Sequence, residues 1–229
     1  MEERTELKIV ARMESEFPSK FGIPRQSGLV EELRGRIVFE PEFRSPDALR
    51  GLEGFSQLWL IWGFSANRRE GWSATVRPPR LGGNERLGVF ATRSPFRPNP
   101  LGLSCVKLEK AELSTSQGPV LHVSGADLMD GTPIYDIKPY VPYADCRPEA
   151  KEGFAPAPEE GLKVVISPEM EARIPSGQVR ALRGVLSWDP RPHYQDDPER
   201  VYGMAFAGME VRFTVDGDTL TVVDVEADV

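Results

Sequence analysis

Cysteine and histidine are nearly absent from this 229-residue chain, and their scarcity removes several chemistries at once. Cys105 and Cys146 are the only cysteines, His122 and His193 the only histidines. No Cys/His cluster has metal-ligand spacing, so no metal site is expected. Two isolated histidines and the lack of a G-x-S-x-G elbow make a serine-histidine-aspartate triad a poor reading. No G-x-G-x-x-G follows a strand-like segment and no G-x-x-x-x-G-K-[ST] is present, so a Rossmann or phosphate-loop site has no support. Long apolar runs are missing too. The longest is Leu58 to Phe64, whereas a bilayer-spanning helix needs roughly 20 residues. The opening Met1-Glu2-Glu3-Arg4-Thr5-Glu6 is acidic where a secretory signal is basic and then apolar. A cytoplasmic location is expected, and with it two free thiols.

Proline, by contrast, is abundant. With 21 Pro and 21 Gly the chain is cut often, which favours many short strands and turns over long helices. Strand-like segments run Leu7 to Ala11, Arg36 to Phe39, Gln57 to Phe64, Arg86 to Ala91, Leu103 to Leu113, Leu121 to Val123 and Pro133 to Lys138. Within Leu103 to Leu113 the apolar parity changes, from Val106 and Leu108 to Ala111 and Leu113, so one extra residue must be absorbed in a bulge or bend. After Pro139 the texture changes. Pro142, Pro148, Pro156 and Pro158 mark a linker-like stretch, followed by a strand from Leu162 to Ile166. Val179, Leu182, Val185 and Leu186 then share one face of a helix, with Ser176 as expected cap and Pro190 as stop. A final hairpin alternates Val211, Phe213 and Val215 against Leu220 and Val222 around Asp216-Gly217. The expected organisation is a β-rich domain over 1–150 and a small α+β domain over 151–229. These patterns alone do not separate a barrel from a sandwich.

The net charge of −7 disfavours a nucleic-acid partner for the chain as a whole, but the charge is uneven. Arg68 to Lys110 holds nine cations against three acids, and Gln195 to Val229 nine acids against two arginines, so local phosphate binding is open. Four rigid polar clusters stand out. Val76 to Asn84 displays Arg77 and Arg80 around two prolines and ends in Gly82-Gly83; Thr92 to Pro100 displays Arg93 and Arg97 among three prolines. Arginine meets carboxylates and phosphates bidentately. The third is Asp130-Gly131-Thr132-Pro133, with Asp136, Lys138 and Tyr140 nearby, and the fourth Asp189-Pro190-Arg191-Pro192-His193-Tyr194. One such loop is ordinarily a proline-stiffened surface turn; four in a chain of this length favour a site. Trp59, Trp62 and Phe64 suit either base stacking or plain core packing.

In this order the clusters resemble the TsaA/TrmO family of tRNA methyltransferases. Phe21-Gly22-Ile23-Pro24-Arg25-Gln26, Arg50 to Ser56, Thr75 to Gly83, Gly88 to Gly102, Asp127 to Tyr140 and Asp189 to Tyr194 carry the match, nearly the whole chain. The resemblance implies a mainly β protein: a six-stranded β-barrel that binds S-adenosylmethionine, usually as a homodimer, with a small C-terminal domain. It implies methylation at N6 of N6-threonylcarbamoyladenosine, beside the anticodon of a threonine tRNA. Matched residue by residue, Pro24, Arg25, Gln26, Arg93, Leu103, Asp130, Gly131 and Thr132 fall on cofactor contacts, and Asp189, Arg191 and Tyr194 on the signature used for activity. Ser65-Ala66 occupies a cofactor position where the family often has His-Gln.

Methyl transfer is an in-line displacement needing no covalent nucleophile, only the attacking nitrogen held roughly 3 Å from the methyl. The N6 proton must leave, and Asp189 or Tyr194 is expected to accept or relay it. Arg191 suits the threonyl carboxylate or a phosphate, and Arg77, Arg80 and Arg97 the RNA, with the salt dependence that phosphate contacts bring. A protein that senses S-adenosylmethionine without turnover, and a methyltransferase acting on another RNA or a nucleoside, are the alternatives.

Overall fold

The computed structural model describes residues 5–66, 71–156, 161–191 and 197–227, without the Arg80 side chain. The strands in chain order are β1 (Ala11–Ser15), β2 (Arg34–Phe39), β3 (Gln57–Gly63), the two-residue β4 (Thr75–Val76) and β5 (Leu87–Gly88), β6 (Leu101–Glu112), β7 (Val120–Ser124) and β8 (Pro133–Pro139). Six of them close a barrel in the order β1-β2-β7-β6-β3-β8, with β8 pairing back to β1. Every neighbouring pair is antiparallel, and closure leaves no open sheet edge.

Strand alternation fills the barrel. Met13, Ile37, Leu58, Leu60, Val106, Leu121, Val123 and Ile134 all point in and are buried, while Arg36 and Lys107 on the opposite parity pair with Glu14 and Glu109. The β6–β7 register shifts between Leu108 and Lys110, where the parity of the sequence changes, and this bulge lets a twelve-residue strand turn with the barrel wall.

A short α1 (Pro142–Asp145) leaves the barrel. The C-terminal unit follows with β9 (Lys163–Val165), α2 (Pro168–Glu171), α3 (Val179–Ser187), β10 (Tyr202–Phe206), β11 (Met209–Asp216) and β12 (Thr219–Ala227), its sheet ordered β10-β11-β12-β9. Leu182, Val185 and Leu186 of α3 bury against Phe206, Val211 and Phe213. Between β10 and β11, Ala207 and Gly208 both have positive φ, 51° and 72°, as a two-residue type I′ hairpin turn requires.

The core of this unit is completed by residues from near the N-terminus. The segment 16–33 leaves the barrel after β1 and contributes Phe17, Val30 and Leu33 to the same buried cluster. Phe17 meets Phe206 edge to face with ring centroids 5.3 Å apart. Trp188 Nε1 donates to the Leu29 carbonyl at 3.0 Å, and Ala207 N to the Glu16 carbonyl at 2.9 Å. A Cβ on Gly22 would sit 2.2 Å from the Met204 sulfur, so only glycine permits this approach.

Four local expectations are corrected. The first strand runs Ala11–Ser15 instead of Leu7 to Ala11, because Met13 takes the inward position and Leu7 stays half exposed. Arg86 to Ala91 pairs over Leu87–Gly88 alone and then tightens into a 3-10 turn at Val89–Ala91. Ser176 does not cap α3; Gln178 precedes it and uses its side chain to reach Glu16 at 2.8 Å. Strand β10 was not apparent in the sequence at all.

Truncating Phe17 to Ala is expected to cost about 3–5 kcal/mol, the range for a buried aromatic. Urea denaturation checks this, and a cost under about 1 kcal/mol would mean that the segment does not share the C-terminal core.

Candidate active site

The same segment forms one wall of a cavity of about 380 Å³ at the barrel edge. Lys20, Ile23, Pro24, Arg25 and Gln26 come from the segment, Trp62, Phe64, Ser65 and Ala66 from the end of β3, and Arg93 and Arg97 from the proline-rich loop. Leu101, Gly102 and Leu103 of β6 and Asp127, Met129 and Thr132 before β8 close it. Pro24 is buried and holds the turn, while Arg25 and Gln26 remain exposed beside the opening. The segment is latched to the barrel by the Gly28 N–H on the Gly125 carbonyl at 2.9 Å and the Cys105 N–H on Ser27 Oγ at 3.0 Å. Arg93 bridges the cavity by donating to Gln26 Oε1.

The proline-rich loop is folded on one of its own arginines. Arg97 donates to the carbonyls of Ser94 (3.1 Å), Val89 (3.1 Å) and Thr92 (2.5 Å). The Phe64 N–H on the Pro100 carbonyl (3.1 Å) docks the loop against the end of β3. Arg97 therefore shapes the loop as well as lining the cavity.

At the cavity floor runs a buried polar chain. Trp62 Nε1 donates to Ser104 Oγ at 2.9 Å, and Ser104 Oγ donates to Asp127 Oδ1 at 2.6 Å. Ser104 is fully buried on β6. The Trp62 ring lies across Gly102, where a Cβ would come within 2.2 Å of it, and meets Phe64 at 4.5 Å between centroids. Burial pushes the Asp127 carboxyl up to about 6, against the opposing pull of the Ser104 hydrogen bond and the more distant Arg93 charge. Asp127 is the one acid lining the cavity among the described residues, amid Lys20, Arg25, Arg93 and Arg97. Sequence reading missed this role: the only signal was the start of the matched stretch Asp127 to Tyr140.

The other expected site residues are distributed as follows. Ser65, Ala66, Leu103 and Thr132 line the same cavity. Asp130 and Gly131 line a second one of about 250 Å³, with Arg12, Glu14, Glu40 and Arg44. There Asp130 Oδ1 accepts from the Ser15 N–H at 3.0 Å, and the Gly131 N–H donates to the Met13 carbonyl at 2.8 Å, which pins the turn to β1. Arg77 is exposed after β4, and the Arg80 side chain lies outside the described residues.

Asp189 and Arg191 are in neither cavity lining. Asp189 has φ +46°, a left-handed backbone uncommon for a non-glycine residue. Its two carboxylate oxygens are taken by Arg191, Oδ1 by Nε at 2.9 Å and Oδ2 by Nη2 at 3.0 Å, with the Arg191 N–H also on Oδ1 at 3.2 Å. The carboxylate raises the Arg191 pKa further. Arg191 Nη1 is buried with no hydrogen-bond partner among the described residues. Tyr194 lies outside the described residues. Both cysteines are free, Cys105 half-buried in β6 and Cys146 exposed.

Closed barrel and cation-rimmed cavity together define a β-barrel protein with a side-chain-lined polar cavity at the barrel edge. Its family is plain from comparison with known proteins. The profile of the tRNA-methyltransferase O N-terminal domain matches residues 12–146 and that of the TrmO C-terminal domain residues 159–228, so the chain belongs to the TrmO family. A tRNA (adenine(37)-N6)-methyltransferase of Escherichia coli is 41% identical over 210 residues, 88% of this chain and 89% of that one. A Pseudomonas aeruginosa protein named as a putative S-adenosylmethionine-dependent methyltransferase, RcsF, is 41% identical over 218 residues, 91% of this chain and 92% of its own. The crystal structure of a TrmO from Pseudomonas aeruginosa superposes with a TM-score of 0.78 at 33% identity, covering 98% of this chain and all of that one.

Asp127 has a measurable consequence for stability. Its folded pKa is raised from 3.8 to about 6, so the protein loses stability as pH rises through that window, by up to about 3 kcal/mol. Asparagine keeps an acceptor for Ser104 without the charge. Asp127→Asn is therefore expected to gain on the natural protein between pH 4 and 6 and to hold that advantage above, read by denaturation at a series of pH values. Parallel curves would show that Asp127 is not perturbed.

Proposed function

We propose that the chain transfers the methyl group of S-adenosylmethionine to N6 of N6-threonylcarbamoyladenosine beside the anticodon of threonine tRNA. The observation that carries this reading is the cavity itself. It gathers Pro24, Arg25, Gln26, Ser65, Ala66, Arg93, Leu103 and Thr132 from five separate stretches of chain, and these are positions at which the family resemblance implies cofactor contacts. The donor set fits the cofactor: guanidiniums suit its carboxylate, the Trp62–Phe64 pair and Asp127 suit a cation, and Gly102 lets the Trp62 ring settle against β6 at the cavity floor. At about 380 Å³ the space falls within the roughly 300–1,000 Å³ of small-molecule sites. The Escherichia coli and Pseudomonas aeruginosa relatives, named for this chemistry, support the same assignment.

When bound, the cofactor supplies a methyl group on a positively charged sulfur. Lys20, Arg25 and Arg93 hold its anionic end, with Gln26 set by Arg93. Asp130 and Gly131 act one step back, holding the turn that presents Thr132. Asp189 is already bound through both oxygens by Arg191. It is therefore assigned as the clasp of its motif, and the N6 proton falls to Tyr194. Arg191 is read as the group that grips the threonyl carboxylate or a phosphate. The arginines of the proline-rich loops receive the RNA. The exposed Trp72, Phe90 and Leu103 offer apolar surface for a second copy, so a homodimer belongs to this reading, as does a cytoplasmic location. No helix among the described residues is long and apolar enough to cross a membrane.

The test is mass spectrometry of nucleosides from threonine tRNA carrying the threonylcarbamoyl group, incubated with protein and S-adenosylmethionine. One added methyl on that nucleoside, absent without the cofactor, is expected. Cofactor binding without any methylation would overturn the enzymatic reading in favour of a sensor. For the RNA surface, Arg77→Glu is a cleaner probe than a change at Arg97, which also organises its loop. It is expected to weaken tRNA binding by about tenfold at low salt and less as salt rises, with S-adenosylmethionine affinity unchanged. Equal losses for both ligands would remove Arg77 from the RNA footprint.

A further inference from the structure

We propose that Asp127 is a specificity-determining residue, the counter-charge by which the cavity selects the sulfonium form of the methyl donor over its neutral thioether product. The inference rests on the cofactor reading above and adds to it a role for a residue outside the positions matched to the cofactor.

Three observations carry it. Asp127 is the lone acid in the cavity lining and has no ion-pair partner among the described residues; the cation whose charge reaches it is Arg93, from farther off. Its hydrogen-bond partners are neutral: Ser104 donates to Oδ1 at 2.6 Å and is itself fixed by the Trp62 indole at 2.9 Å, and the backbone N–H groups of Ser27 and of Asp127 itself also act on the carboxyl. An ionised carboxylate at a mostly enclosed position without a cation is costly, and the cost is relieved when a ligand brings one. The third is the aromatic pair. Trp62 and Phe64 line the same cavity, and aromatic faces attract onium groups. The hydrogen-bonded chain joins indole and carboxylate into one unit.

The ligand has two cationic groups, and its chemistry separates them. The ammonium of the methionyl end stands beside its own carboxylate, a dipolar pair that suits the Arg25 and Arg93 side of the cavity. The sulfonium has no internal partner. It is the uncompensated charge of the donor, and Asp127 is the acid of the cavity that lacks an ion-pair partner among the described residues. Once the methyl has gone the sulfur is neutral, the attraction lapses, and the thioether is held less firmly. Such a contact is stronger in the ground state than in the transition state, so its removal raises KM for the donor more than it lowers kcat.

The experiment is calorimetric titration of the full chain, natural and Asp127→Asn, with S-adenosylmethionine and S-adenosylhomocysteine. The expected result is a loss of about tenfold or more for the sulfonium ligand and less than about threefold for the thioether, so that the ratio of the two affinities collapses. Ser104→Ala keeps the carboxylate but frees it, and is expected to reduce the ratio partway; it serves as a second arm should the asparagine variant fold poorly. Equal losses for both ligands would assign Asp127 to the ammonium and overturn the proposal. Unchanged sulfonium binding with lost turnover would overturn it in favour of a proton-transfer role. If the natural protein bound neither ligand, the cofactor reading itself would fall.

Discussion

Everything at the cavity depends on the segment 16–33 being held from two directions. The barrel grips it through Gly28 and Ser27, and the C-terminal core takes its Phe17, Val30 and Leu33. A surface loop of this length, with exposed Ser19, Lys20, Arg25, Gln26, Glu31 and Glu32, would ordinarily be mobile. Here the apolar side chains lie at its two ends and the polar Arg25 and Gln26 between them, so burying the ends presents the middle. Among the described residues, the C-terminal unit thus contributes to the cavity without lining it. It acts as the clamp that sets the position of a wall, so that side chains remote from the cavity bear on its shape.

The barrel solves the ligand problem differently from a nucleotide-binding α/β sheet. Such a sheet offers glycine turns and a helix N-terminus to an anion; among the described residues no helix lines this cavity. Its polar contacts come from side chains at a barrel edge, stiffened by proline on one loop and by the three Arg97 hydrogen bonds on another face of that loop. Polar groups lowered into a closed barrel must be satisfied there. The Trp62–Ser104–Asp127 chain does this with donors and acceptors in sequence, ending on a carboxyl group that is the only member still able to meet a charge.

Legibility from sequence divided along physical lines. Alternation along Met209–Asp216 was readable because that strand has one buried and one more solvated face, Gln57–Gly63 because it is an apolar run bounded by polar segments, and the Leu108 bulge because a parity change has no other remedy. Barrel closure was not readable from alternation, since inward and outward faces look alike in a sandwich; it came from resemblance. Strand β10 escaped because Tyr202–Phe206 interposes Gly203 and Ala205 at its outer positions, which blurs the contrast. The motif residues at Pro24–Gln26 and Arg93 were visible as motifs, but nothing local could show that segment 16–33 is core at its ends. Asp127 was hidden for a related reason: its character comes from Ser104, 23 positions earlier, and from burial, neither of which leaves a trace in neighbouring residues.

The charge of the chain makes the same point in electrostatic terms. A net −7 protein is a poor candidate for an RNA partner only if charge is averaged. In the fold, Lys107 and Lys110 are matched by Glu109 and Glu112, and Arg34 by Glu109, whose carboxyl is held well below the usual range by Ser124, Lys107 and Arg34. On the C-terminal sheet Asp224 and Glu226 are matched by Arg173 and Arg212. These barrel-wall and sheet charges largely cancel in place. The cavity side gains Lys20 and Arg25 from segment 16–33, which a count along the middle of the sequence leaves out, to stand with Arg93 and Arg97. At physiological salt, exposed charges act over about 8 Å, so an approaching phosphate responds to this local excess and little to the acidic sheet. The sign that matters for recognition is therefore set by which residues the clamp brings together.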